Sequence, residues 1–207
     1  DGDFSDSLSE RDASFLQFYC ESSQEALDAT LMAYKIGEDP RVLLPSFVVL
    51  EGFRISHTYE LVDVPEQEAV DRFLPSYRPK HAFVDFDYPI QGGLPSFNRY
   101  DEFKYHQHRA LLNAGQVIKD VCADFAARFG RQYGLIDTYR CEDAELIVVA
   151  MATMVGQMRD VIDDLRAEGH KVGLLKLRVF RPFPEEEIAA AVAGAKKVLV
   201  LDRPVSP

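Results

Sequence analysis

The sequence predicts an α/β protein with two mostly parallel open sheets flanked by helices. Three observations carry this. The run Val42-Leu-Leu-Pro-Ser-Phe-Val-Val-Leu50 is nearly continuously apolar, as in a strand covered on both faces of a parallel sheet. Leu27, Leu31 and Tyr34 recur at helical spacing behind a marked helix start. From Ala144 onward, strand-like and helix-like segments alternate, which implies parallel pairing with right-handed crossovers.

Composition bounds the function. The chain has 207 residues, enough for one large domain or two small ones, and its 47% hydrophobic content supports a real core. A net charge of −11 argues against a nucleic-acid partner, which needs a basic patch. No window approaches the roughly 20 apolar residues of a membrane span. No signal-peptide pattern opens the chain. Cys20, Cys122 and Cys141 are widely spaced and lack metal-ligand spacing, so they read as free thiols in a reducing cytoplasm. The chain opens on Asp-Gly-Asp and closes on Val-Ser-Pro in loop-like sequence, and a segment of a longer polypeptide is expected.

In order, a polar loop carries Ser5, Asp6 and Arg11, and a strand is expected over 15–19. A helix follows over 23–37: Ser22 with Glu25 three residues later is a capping box, and Pro40 lies beyond the end. The apolar strand over 42–50 comes next, with Pro45 weakening its start. Gly52 to His57 then lies just past a strand end, where ligand sites gather in open sheets. The alternative for His57 is a residue that caps or buttresses a turn. Asp63 and Pro65 read as the start of another helix that ends before Pro75. Repeated Pro, Gly and aromatics over 75–100 read as an irregular connection laid over a surface, with the domain boundary there.

Residues 101–129 read as one long helix, or two with a bend near Gly115, capped by Asp101 and ended by Gly130. Leu111, Leu112, Val117, Ile118, Val121, Phe125 and Phe129 form its apolar face. His106 and His108 are two apart and point to different faces, so they make poor joint metal ligands. A buried strand is expected over 145–151, a helix over 155–167 closed by Gly169, and a strand over 171–180. A short helix follows over 184–192 with Glu185, Glu186 and Glu187 in its first turn, then a strand over 197–202. The turn Ala150-Met-Ala-Thr-Met-Val-Gly156 lacks the glycine series of a dinucleotide site, so this half reads as a docking domain. Arg178 and Arg181 read either as an anion site or as a strand end and turn that make subunit contacts.

Ser5-Asp6, Arg11, Ser23-Gln24-Glu25-Ala26, Glu51-Gly52-Phe53 and Ser56-His57 together resemble the alpha chain of the 2-oxoacid:ferredoxin oxidoreductases, the pyruvate:ferredoxin oxidoreductase family. Lys176-Leu-Arg178-Val-Phe-Arg181-Pro-Phe-Pro184 and Asp202-Arg-Pro-Val-Ser206 resemble the same family's second domain, which is similar to the transketolase C-terminal domain. The resemblance covers nearly the whole chain. It implies residues 1–76 as the end of a pyrimidine-binding thiamine diphosphate domain, 77–100 as linker and 101–207 as the transketolase C-terminal-like domain.

The resemblance also implies a coenzyme-A-dependent oxidative decarboxylation of a 2-oxoacid by a multi-subunit complex. Pyruvate is the default substrate. Thiamine diphosphate with Mg2+ and [4Fe-4S] clusters would be bound mainly by other domains or subunits. The partners implied are a thiamine-diphosphate/iron–sulfur beta chain, gamma and ferredoxin-like delta chains, and ferredoxin or another electron acceptor. The cofactor-activating glutamate lies upstream, so this segment alone is expected to be inert. Arg11 matches the family arginine that binds the substrate carboxylate, a task suited to a planar, permanently charged guanidinium. The alternative is an ion pair with Asp6, Glu10 or Asp12. Ser5, Asp6, Glu51, Arg54, Ser56 and His57 form a candidate active-site loop set. Two departures stand out. Phe4 replaces a residue that is often polar, which leaves an aromatic 2-oxoacid such as phenylglyoxylate open, and Glu51 replaces a common aspartate. The competing readings are a non-catalytic assembly module and, against the missing glycine fingerprint, a dinucleotide-binding reductase.

Overall fold

The computed structural model describes residues 3–79 and 97–203. Most of the 77–100 connection, including Gln91 to Pro95, and the stretch after Arg203 lie outside the described residues.

Two sheets form. The first has strand β1 (Leu16–Tyr19) at its centre, paired in parallel with β2 (Ser46–Val49) and antiparallel with β6 (Val179–Arg181). The second runs in the order β3 (Ile136–Tyr139), β5 (Val172–Leu177), β4 (Leu146–Ala150), β7 (Lys197–Val200). Its β5–β4 and β4–β7 pairs are parallel, while β3 is antiparallel. β3 is absent from the sequence-based expectation because Ile136-Asp-Thr-Tyr139 has only two apolar residues to signal it.

The run over 42–50 was expected to be covered on both faces. It is instead an edge strand, half-exposed throughout, and β1 beside it is the fully buried one. The expected strand over 171–180 is two strands. Chain leaving β5 at Leu177 pivots at Arg178 and joins the other sheet as β6, with the Tyr19 N–H donating to the Arg178 carbonyl at 2.8 Å. One continuous apolar stretch thereby stitches both sheets together. Gly173 in β5 lies where Arg140 and Cys141 cross closely: a Cβ there would sit 2.7 Å from the Arg140 carbonyl oxygen.

Helix α1 (Ser5–Ser9) occupies the stretch expected to be a loop. Helix α2 (Ser23–Gly37) has the expected bounds, with Ser22 Oγ accepting from the Glu25 N–H at 3.2 Å. Helix α3 (Gln67–Phe73) starts later than Asp63 suggested. Asp63 is engaged elsewhere: its carboxylate takes Arg131 at 2.7 Å and its N–H donates to Gln24. Helix α4 (Tyr100–Phe129) is one unbroken element, begun at Arg99 without a side-chain cap from Asp101 and ended by Gly130 at φ 73°. Leu112 points to solvent, off the apolar face assigned to it.

Residues Leu16 and Phe18 of β1, Met32 and Ile36 of α2, Phe73 of α3, and Leu111, Val117, Ile118 and Phe125 of α4 share one core. So α4, expected to open the second unit, packs against the first sheet. Helices α5 (Met154–Ala167) and α6 (Glu185–Val192) cover the second sheet, around Val155, Ile162 and Leu174 on one face and Ile147 and Leu175 on the other. No helix among the described residues is long and apolar enough to cross a membrane.

Candidate functional site at the edge of the first sheet

The site candidates divide between the segment before β1 and the loop after β2. Phe4 adopts a left-handed conformation, φ 57°, and starts α1. Its ring is buried edge-on against Tyr19 at 5.2 Å. Phe4, read in the sequence as shaping the substrate end, is thus placed in the core beside Tyr19. Ser5 is exposed, with its hydroxyl on Asp3 at 3.1 Å. Asp6 accepts from the Ser7 N–H at 2.6 Å. It lines an open depression of about 420 Å³ with Ser7 and residues 47–50 of the neighbouring strand.

Arg11 sits in the turn that follows α1. Its N–H donates to the Leu8 carbonyl at 3.2 Å, and the turn closes through Ala13 N–H to Glu10 at 3.0 Å. Its side chain is 59% exposed and lies 3.7 Å from the exposed Asp12 carboxylate. Of the three acidic partners the sequence offered, Asp12 is the one engaged. A solvent-screened contact of that length holds a guanidinium weakly.

Glu51 is buried and takes two cations, Arg203 from beyond β7 and Arg54 at 3.6 Å. Its carbonyl accepts from the N–H groups of Ile55 and Ser56, closing the loop. Ser56 Oγ accepts from the Phe53 N–H at 3.0 Å and lies 2.7 Å from His57 Nδ1, while the Phe53 and His57 rings stack 4.8 Å apart. Loop 51–57 is thus a tied turn anchored to the second sheet through Glu51. Among the described residues, no hydrogen bond or ion pair joins it to Arg11.

A second polar centre went unforeseen. Glu25, at the start of α2, binds Lys176 at 2.7 and 2.8 Å and Arg178 Nε at 2.7 Å, and also accepts from the Glu21 N–H at 2.7 Å. All three side chains are buried. Burial pushes the Glu25 carboxyl up, but the Lys176 and Arg178 charges outweigh it and hold it below the usual glutamate range. Arg178 also stacks 4.7 Å over the Tyr133 ring and donates to the Gly134 carbonyl at 3.2 Å. Glu21 takes Arg159 at 2.6 Å, and Asp28 takes Arg131 and Tyr133. A groove of about 430 Å³ opens above this network. Its cations face Glu21, Glu25 and Asp137, so Arg178 serves as a junction between the two sheets. Lys176 and Arg178 two apart in an apolar strand were the one sequence signal for it, since that spacing puts both on one face. Arg181, the other candidate, falls at the end of β6.

The described residues bring together no group of three His, Cys, Asp or Glu able to hold a metal. Burial raises all three thiols, with Cys20 pushed up to about 12. The three thiols, two of them buried and all far apart in sequence, do not fit the ligand set of an iron–sulfur cluster.

Comparison with known proteins gives the family. The model described as "Pyruvate flavodoxin/ferredoxin oxidoreductase, thiamine diP-bdg" matches residues 1–123, and "Pyruvate:ferredoxin oxidoreductase core domain II" matches 144–207. The chain is 48% identical to the pyruvate synthase subunit PorA of Methanothermobacter thermautotrophicus, over 99% of this chain and 53% of that one. It is 46% identical to the PorA subunit of Pyrococcus horikoshii, over 99% and 52%. It is 43% identical to the ketoisovalerate oxidoreductase subunit VorA of the same organism, over 97% and 51%. The chain therefore spans about half the length of these relatives. A solved 2-oxoglutarate:ferredoxin oxidoreductase from Magnetococcus marinus aligns over 52% of this chain and 16% of its own, at TM-score 0.38 and 21% identity, too weak a likeness to carry an argument. With the thiamine-diphosphate-binding family model covering more than half of its residues, the chain belongs to the pyruvate flavodoxin/ferredoxin oxidoreductase family.

Proposed function

We propose that this chain is part of the alpha subunit of a coenzyme-A-dependent 2-oxoacid oxidoreductase, that pyruvate is its substrate, and that Arg11 binds the substrate carboxylate. The observation that supports this most is the state of Arg11. It sits in the turn between α1 and β1, mostly exposed, and among the described residues its side chain has one weak partner, Asp12. A guanidinium in that state keeps its paired donors available for a carboxylate. Pyruvate is chosen over ketoisovalerate because most of the similar relatives are pyruvate synthase subunits.

Thiamine diphosphate, when bound, supplies the carbon nucleophile and the electron sink, and in this proposal it is held by polypeptide outside the described residues. Arg11 binds and orients. The carboxylate charge disappears in decarboxylation, so a group that grips it stabilises bound substrate at least as much as the transition state. Its loss should raise KM more than it lowers kcat. Loop 51–57 is held in one shape through Glu51 and Arg203. In this proposal partner subunits would hold the iron–sulfur clusters that carry electrons to ferredoxin or another acceptor, in a cytoplasmic complex.

The test is coenzyme-A-dependent reduction of a viologen dye by the native complex, with pyruvate, ketoisovalerate, 2-oxoglutarate and phenylglyoxylate in parallel. Turnover with pyruvate is expected. Arg11→Ala should then lower kcat/KM for pyruvate about 10- to 100-fold, the worth of hydrogen bonds to a charged group. No turnover with any substrate, in a complex holding its cofactors, would favour an assembly role instead.

A further inference from the structure

Side chains alternate along β1, so Gln17 and Tyr19 point to the same face. That face meets α1. Both residues are fully buried, and both end on a single residue, Ser7. Gln17 Nε2 donates to the Ser7 carbonyl at 2.8 Å. The Tyr19 hydroxyl lies 3.1 Å from Ser7 Oγ. Because Ser7 Oγ donates to the Phe4 carbonyl at 3.2 Å, it accepts from Tyr19. The Phe4 ring closes over Tyr19 edge-on.

Arg11 follows four residues after Ser7. Glu10 N–H returns to the Ser7 carbonyl at 3.3 Å, and Arg11 N–H to Leu8. Among the described residues, its own side chain adds only the exposed contact with Asp12. Where the Arg11 backbone stands therefore depends on where Ser7 is held. Ser14, at φ 66°, turns the chain back into β1 and closes the loop on the strand that holds it.

We infer that Gln17 and Tyr19 are positioning residues for the substrate: by fixing Ser7 from beneath, they set the place from which Arg11 meets the 2-oxoacid carboxylate. This rests on the proposal that Arg11 binds that carboxylate. A backbone segment fixed in advance limits where the charged side chain can reach, and so spares part of the ordering that substrate would otherwise have to impose. The tie runs through buried hydrogen bonds, which water does not readily replace.

The test is steady-state kinetics of pyruvate-dependent dye reduction by the full complex. Tyr19→Phe keeps the ring and removes only the donor. The expected result is a KM for pyruvate raised about three- to tenfold, the worth of one such hydrogen bond, with kcat and the KM for coenzyme A unchanged. In the Arg11→Ala background the same change should add nothing further to KM, because the group being positioned is gone. Ser7→Ala removes the acceptor and should give the same pattern, and it decides the matter if Tyr19→Phe fails to assemble. An unchanged KM in both variants, or an equal rise with and without Arg11, overturns the inference. If Arg11→Ala itself leaves KM unchanged, the carboxylate reading has failed first and the inference falls with it.

Discussion

Arg178 and Arg11 are the same side chain in opposite situations. Arg178 is 2% exposed, paired with Glu25, stacked on Tyr133 and bonded to the Gly134 carbonyl. Arg11 stands in a surface turn with a screened carboxylate 3.7 Å away. Both belong to sequence stretches that resemble one family. Position in a motif therefore does not separate an arginine that joins two sheets from one left available to a ligand. The difference lies in burial and charge pairing: Arg178 is sealed in with the Glu25 carboxylate at 2.7 Å, and Arg11 faces solvent.

The largest expected effect tests the buried side. Glu25→Ala leaves Arg178 buried without its anion and Lys176 with Glu21 alone, and should destabilise the chain by about 3–5 kcal/mol in chemical denaturation. A loss under about 1 kcal/mol would mean that the junction relaxes or takes up water.

Acid probes the same pair more gently. Glu25 is held below the ordinary glutamate value of 4.5, so its contribution is complete above that pH and disappears as pH falls through the lower folded value. The denaturation midpoint should change little between pH 7 and 5 and drop below pH 4.5. Glu25→Gln should remove part of that drop, and an unaltered acid profile would assign it to other carboxylates.

Ser22→Ala removes the cap that starts α2, which takes the Glu25 N–H, and should cost about 1 kcal/mol while leaving the partners of the Glu25 carboxylate in place. The smallest effect belongs to the exposed side. Arg11→Ala should change stability by no more than about 0.5 kcal/mol, as for a surface ion pair, while lowering kcat/KM as proposed above. Loss of stability comparable to that of Glu25→Ala would erase the distinction between the two arginines.

Several elements were legible because their signals are local. Ser22 and Glu25 mark the start of α2, Gly130 marks the end of α4, and the acidic first turn of α6 is plain in Glu185, Glu186 and Glu187. Other elements failed for equally definite reasons. Asp63 reads as a helix cap until Arg131 claims it. Val48 and Val49 read as interior, yet their strand lies at a sheet edge. The candidate site was legible as a list of residues. Its two halves, and the fact that Phe4 is part of the core, were not.

What the sequence determined by itself was the α/β class, most helices and strands, and the family resemblance that singles out Arg11. Propensity, capping and periodicity act over a few residues, and a motif is read in the same way. Only the tertiary structure decided that one apolar run changes sheets at Arg178, that Glu25 anchors the change from 153 positions away, and that Gln17 and Tyr19 hold Ser7. Burying a charge requires a partner, and the identity of that partner is settled by which surfaces meet when the chain closes.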